Sequence, residues 1–252
     1  MVIALAHSRA PNPGPIPPYR AIPSALIQRG SHTGLPKKPK PDRKRFLYLR
    51  QVQNLTNAVL FSDRQGQQLI SGMTVLWSHL PGFKSVELPR LQTRLFKRIT
   101  QWAERNGFEL CAVWVRENGK QKKEHLHVIW NVPVNLLGDL ERFILADMRF
   151  SKGGVEMSRG GYGRFGMRTQ KMRLGKLRYM LKAYDHRHFR YYLRESQNTG
   201  EILGIQHRGT DGALDCKRAG TTQNIGPAAR KRAGWQEIKG YDALGRALCP
   251  DA

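Results

Sequence analysis

Two histidines stand two residues apart, His125 and His127, in the stretch KEHLHVIWNV at 123–132. Strict alternation marks that stretch as a strand: Leu126, Val128 and Trp130 share one face, and His125, His127 and Ile129 share the other. Imidazoles on one strand face lie roughly 7 Å apart along the chain and can grip one divalent cation between them. Glu117 opens the turn that follows the preceding strand, so a hairpin would set it near His125 at its mouth. Glu124 points to the opposite face from His125. Downstream, Tyr179 and Lys182 fall one helical turn apart and off the helix's apolar stripe. A phenol is a weak nucleophile at its free pKa of about 10, and a neighbouring ammonium favours the phenolate and steadies charge on a phosphoryl group. Taken alone, such a Tyr–Lys pair reads as an aromatic shoulder of the core with a solvated lysine.

The elements that must position these residues follow from periodicity. A short helix is expected around 52–61 and a long strand at 68–80. A helix at 88–106 places Leu91, Leu95, Ile99 and Trp102 on one face. Strands at 108–116 and 123–132 form the hairpin, and a second helix spans 135–148 with Asn135 as its cap. A short strand at 155–157 and a third helix at 175–195 complete the set. In that third helix Leu174, Leu177, Leu181 and Tyr184 form the apolar stripe. The order β-α-β-β-α-β-α predicts an α+β fold, a ferredoxin-like antiparallel sheet with helices on one face.

Composition sets the outer limits. The chain has 252 residues and 43 Lys+Arg against 19 Asp+Glu, a net charge of +24. A polyanionic partner is the default for such a chain, and nucleic acid is the foremost candidate. Arg94, Lys97 and Arg98 on the first long helix, and Lys217, Arg218, Arg230, Lys231 and Arg232 near the C-terminus, are the candidate phosphate contacts. Trp77, Trp114 and Trp130 are candidates for stacking on bases, although alternation puts Trp130 in the core. Residues 1–45 read as a proline-broken basic tail, 46–195 as the functional domain and 196–252 as a basic, glycine-rich extension. That extension carries a weak strand at 201–206 and a short helix opened by Pro227. Three cysteines without CxxC spacing, no cationic leader and no membrane-length apolar run point to a cytoplasmic protein.

His125-Leu126-His127 on a strand, followed by Tyr179-Met180-Leu181-Lys182 on a helix, resembles two motifs of the HUH endonucleases. These include rolling-circle replication initiators, relaxases and single-tyrosine transposases. The resemblance covers about 67–195, and its single-tyrosine form looks most like initiators of plasmids and small single-stranded DNA replicons. It implies a five-stranded antiparallel sheet with the histidine pair on a central strand. It also implies Mg²⁺ or Mn²⁺ at His125, His127 and an acidic ligand, for which Glu117 fits. Tyr179 would attack a phosphodiester of single-stranded DNA at an origin or hairpin, form a 5′-phosphotyrosine, and release a 3′-OH for the host replication machinery. The strand motif Met73-Thr74-Val75-Leu76 matches a further family motif loosely. A relaxase or transposase, or a basic nucleic-acid-binding protein without activity, are the competing readings.

Overall fold

The computed structural model describes residues 46–119, 122–158, 167–185, 189–192, 195–206, 214 and 217–249. All of them belong to one compact unit, Lys38–Ala252. The proline-rich stretch at 1–45 lies outside the described residues.

In chain order the elements are α1 (Leu49–Arg64), β1 (Ser71–Leu76), α2 (Leu88–Arg105), β2 (Ala112–Gly119), β3 (Lys123–Trp130), α3 (Leu137–Met148) and β4 (Val155–Ser158). They are followed by α4 (Gln170–Met180), β5 (Phe189–Tyr192), β6 (Glu195–Asn198), α5 (Thr199–Ile202), β7 (Ala219–Thr221), α6 (Pro227–Arg232) and α7 (Tyr241–Leu248). β1 is shorter than periodicity predicts because the chain leaves the sheet at Trp77. The indole of Trp77 is buried against Phe83 and Phe150, with ring centroids 6.5 and 5.9 Å away. The cap of α3 is Leu136 rather than Asn135, after a turn of 3₁₀ helix at Val134–Leu136.

The strands of the main sheet run in the order β4-β1-β3-β2-β7, every neighbour antiparallel, so the histidine strand is central. The fold is α+β. Helices, however, cover both faces of the sheet and not one. Met73, Val75, Leu126, Val128 and Trp130 face α2 and α3. Val113, Val115, Ile129 and Ala219 face away from them and are closed over by α1, α4 and α7. The physical reason is that β2 and β3 are apolar on both faces near their centres, so an uncovered side would leave several valine- and isoleucine-sized groups in water.

The third helix also differs. It begins earlier, at Gln170, where the Thr169 hydroxyl accepts from the Met172 amide. It stops far short of 195. After a 3₁₀ turn at Leu181–Ala183 the chain straightens, and Leu47 pairs with Tyr184 through Leu47 N–H to Ala183 O and Asp185 N–H to Leu47 O. Tyr184 is fully buried, as expected, but outside the helix: it lies in the extended segment paired with Leu47, its hydroxyl bonded to those of Thr199 and Tyr241.

The described C-terminal residues pack into the domain. β7 adds a fifth strand beside β2, and 201–206, expected as a weak strand, instead begins in helix α5. α6 opens at Pro227 as the sequence predicts. Asn57 on α1 ties this segment in. Its Nδ2 donates to the carbonyls of Gln53 and Ile238, and its Oδ1 accepts from Trp235 Nε1 and the Ile238 amide. Asn57→Ala should therefore cost about 3 kcal/mol in equilibrium denaturation, since two donors lose their only acceptor at a buried place. A cost under about 0.5 kcal/mol would mean that the C-terminal segment is not docked in this way.

Cys111 and Cys249 are free thiols. Burial, reinforced by the charge of Glu109, pushes the Cys111 thiol up to about 12. Iodoacetamide at about pH 8 is expected to leave Cys111 intact in the native protein and to modify it once denatured, as read by peptide mass mapping.

Candidate metal centre and tyrosine

The hairpin of β2 and β3 sets Glu117 directly opposite His125, and β1 sets Thr74 directly opposite His127. Opposed residues on antiparallel strands share a face, so register alone gathers these four side chains. All three potential ligands are buried: Glu117 is 5% exposed, His125 5% and His127 6%. Glu117 Oε2 lies 3.2 Å from His125 Nε2 and 3.5 Å from His127 Nε2. One donor atom from each residue falls within 4.8 Å of the others, a spacing that could hold a metal ion.

Outer partners aim the rings. His125 Nδ1–H donates to the Lys123 carbonyl at 2.8 Å, which leaves the Nε2 lone pair facing Glu117. Lys123 takes a left-handed φ of 51° at this point, unusual for a residue with a Cβ. His127 Nδ1 meets the Thr74 hydroxyl at 3.1 Å, so its Nε2 also turns inward. Thr74 was visible in the sequence only as part of a loose strand motif.

The donor set fits a cation on two grounds. First, His127 Nε2 and Glu117 Oε1 are buried without a hydrogen-bond partner, which is costly unless a ligand takes them up. Second, the ionisation states are the required ones. Burial alone would raise the Glu117 carboxyl. The imidazoles of His125 and His127 and the ammonium of Lys182, all close to it, outweigh that and hold Glu117 well below the usual carboxylate range. Burial lowers His127, with the charges of His125 and Lys182 adding to it against the pull of Glu117. An ionised carboxylate beside a neutral imidazole is what metal binding needs.

Tyr179 stands at the edge of this cluster. Its ring is 40% exposed, and its centroid lies 5.9 Å from that of His127. Lys182 joins the two halves of the site: its Nζ is 2.8 Å from Glu117 Oε2 and 4.2 Å from the Tyr179 ring centroid. Lys176, one turn earlier on α4, brings a second ammonium to 5.1 Å from the same ring. Burial lowers the Lys176 ammonium, and the charge of Lys182 adds to that. A cavity of about 220 Å³ opens beside the phenol, lined by Arg178, Lys182, Gly204 and Gln206 among others. α4 is moored to α1 by Arg173, which ion-pairs with Asp63 at 2.8 Å and donates to the carbonyls of Met167 and Arg168.

The candidate phosphate contacts divide. Lys97, Lys217, Lys231 and Arg232 are exposed. Arg94 and Arg98 lie on α2 and reach Asp147 of α3, with Arg98 Nε 2.7 Å from Asp147 Oδ1, so they brace two helices. Arg218 is 2% exposed and Arg230 1%. Arg230 is used inside the fold by Glu237, Asn54 and the Ile225 carbonyl. Buried in this way, neither guanidinium is presented at the surface, and a basic run in the sequence gives no sign of which of its arginines will be taken inside. Glu124 faces Arg116 at 3.7 Å on the other side of the sheet, as alternation requires.

Comparison with protein-family models, with curated proteins and with solved structures finds no match. Among the described residues no helix is long and apolar enough to cross a membrane.

Proposed function

We propose that this chain is a site-specific endonuclease of the HUH type, which nicks and rejoins single-stranded DNA through Tyr179 to start rolling-circle replication. The observation that carries the reading is the convergence of Glu117, His125 and His127 beside a solvent-accessible tyrosine, with Lys182 in contact with both. When bound there, Mg²⁺ or Mn²⁺ supplies Lewis-acid polarisation of a phosphate oxygen.

The remaining chemistry belongs to the chain. His125, His127 and Glu117 fix the place where the scissile phosphate is presented. Thr74 and the Lys123 carbonyl hold the two rings in position. The Tyr179 oxygen bonds to phosphorus, the P–O3′ bond breaks, and the departing 3′ oxygen takes up a proton in place of the one the phenol gives up. Lys182 and Lys176 favour the phenolate and offset the charge that builds on the phosphate oxygens. The 5′-phosphotyrosine keeps the energy of the broken ester for rejoining, and the free 3′-OH can be extended by host replication proteins in the cytoplasm. A relaxase or transposase of the same superfamily would use the same steps on a different DNA.

A chelation experiment separates this reading from that of a silent binding module. Adding EDTA should abolish cleavage of circular single-stranded DNA while leaving DNA binding in a gel-shift assay within about twofold. Cleavage that persists without divalent cations would exclude the proposed chemistry.

A further inference from the structure

The larger described cavity lies away from the metal cluster, on the other face of the sheet. It has a volume of about 680 Å³ and runs between α2 and the edge strand β7. That size is in the range of small-molecule and nucleotide sites. Strand alternation separates it from the proposed nuclease centre: Val115 and Glu117 face the histidines, while Trp114 and Arg116 face α2. Phe96 and Trp114 line it, both half-buried, with ring centroids 6.3 Å apart and planes 39° from parallel. Exposed Lys97 and Lys217 flank the pair, and the Lys217 ammonium lies 5.7 Å from the Trp114 ring centroid.

The indole is held in place by a specific gap. Trp114 pairs in register with Gly220 on β7, and a Cβ at Gly220 would fall 2.6 Å from Trp114 Cζ2. The edge strand thus carries no side chain where the ring lies. The carboxylates of Glu104 and Glu109 also line the cavity. Glu104 sits two turns beyond Lys97, about 10 Å along α2 at 1.5 Å per residue, so the cationic and anionic ends of the groove are separated.

From these features we infer that the groove is a binding site for single-stranded nucleic acid. Bases stack on Trp114 and Phe96, and the backbone passes Lys97 and Lys217. Aromatic platforms between cations are the recurring solution for holding an unpaired strand without reading its sequence. The chain's charge of +24 favours the same occupant over an acidic-residue-poor peptide or an apolar ligand. The inference goes beyond strand cleavage, since a chain with no nuclease activity would still bind a strand here.

Fluorescence anisotropy with a labelled oligo-dT of about 10 nucleotides, in EDTA, tests it on the full chain. Trp114→Ala should raise the Kd about tenfold and Trp114→Phe about twofold or less, because stacking tolerates any aromatic face. Lys97→Ala with Lys217→Ala should flatten the slope of log K against log salt by about 1.4. Unchanged affinity in Trp114→Ala overturns the inference, and so does an equal loss in Trp114→Ala and Trp114→Phe, which marks a packing role. Should Trp114→Ala fail to fold, the exposed lysine pair decides: an unaltered salt slope overturns the site. Trp114-dependent binding in a protein that cuts no DNA would leave this inference standing and remove the nuclease reading.

Discussion

Tyr179→Phe should abolish the covalent protein–DNA adduct and lower strand cleavage by on the order of 10⁴-fold or more, the scale on which removal of a nucleophile acts. Its melting temperature should stay within about 2 °C of wild type. The ring that Phe retains still meets His127 at 5.9 Å and Lys182 at 4.2 Å, and a side chain 40% exposed has little burial to lose. This pairing of a large catalytic loss with a negligible structural one is diagnostic. Tyr184 provides the opposite case on the same stretch of chain. It is fully buried and bonded to Thr199, so Tyr184→Phe should destabilise the fold by about 1 kcal/mol and leave the rate per folded molecule unchanged. A Tyr179→Phe protein that still joined itself to DNA would move the nucleophile elsewhere.

Glu117→Gln should weaken Mn²⁺ binding by about 100-fold or more, measured by titration calorimetry. It removes the single anionic ligand while preserving the volume of the side chain. It also takes the counter-charge from Lys182, whose ammonium is 2.8 Å from the carboxylate and mostly buried. The variant is therefore expected to be less stable as well as metal-poor. His127→Ala should lose metal to a similar degree without that electrostatic penalty. Thr74→Val, which only frees the His127 ring from its hydroxyl partner, should cost about tenfold in affinity. A graded series of this kind follows from ligand and supporting roles. Equal Mn²⁺ affinity across all three variants would place the ion elsewhere.

How much of this was legible before the structure depends on the range of the interaction concerned. The division of β3 into an apolar face and a histidine face is a period-two pattern, and the structure separates Leu126, Val128 and Trp130 from Ile129 in that way. The setting of Glu117 opposite His125 follows from a short hairpin. The contrast between an exposed Tyr179 and a buried Tyr184 was expected from helical spacing, although Tyr184 is buried by its pairing with Leu47 beyond the helix end.

What could not be read depends on contacts distant in sequence. Thr74 reaches His127 only through the pairing of β1 with β3. β7 is three residues long, Ala-Gly-Thr, and has no β-propensity signal that would announce it. Lys176 stands one turn before Tyr179 on α4 and was within reach of the same helical spacing, but only the structure shows its ammonium over the ring. Arg230 belongs to a run that reads as a phosphate track, yet its guanidinium is used by Asn54, far away in the chain. The covering of both sheet faces has the same origin, since α1 and α7 close over β2 and β3 from opposite ends of the described sequence.

The central claim is that the phenol of Tyr179 attacks a phosphodiester presented at Glu117, His125 and His127. Its most direct test is to incubate the full-length protein with circular single-stranded DNA and Mn²⁺, digest with protease and nuclease, and sequence the adduct by mass spectrometry. The account predicts a nucleotide 5′-phosphate esterified to Tyr179, present with Mn²⁺ and absent with EDTA. An adduct on any other residue, or cleavage that leaves the protein unmodified throughout, would contradict it.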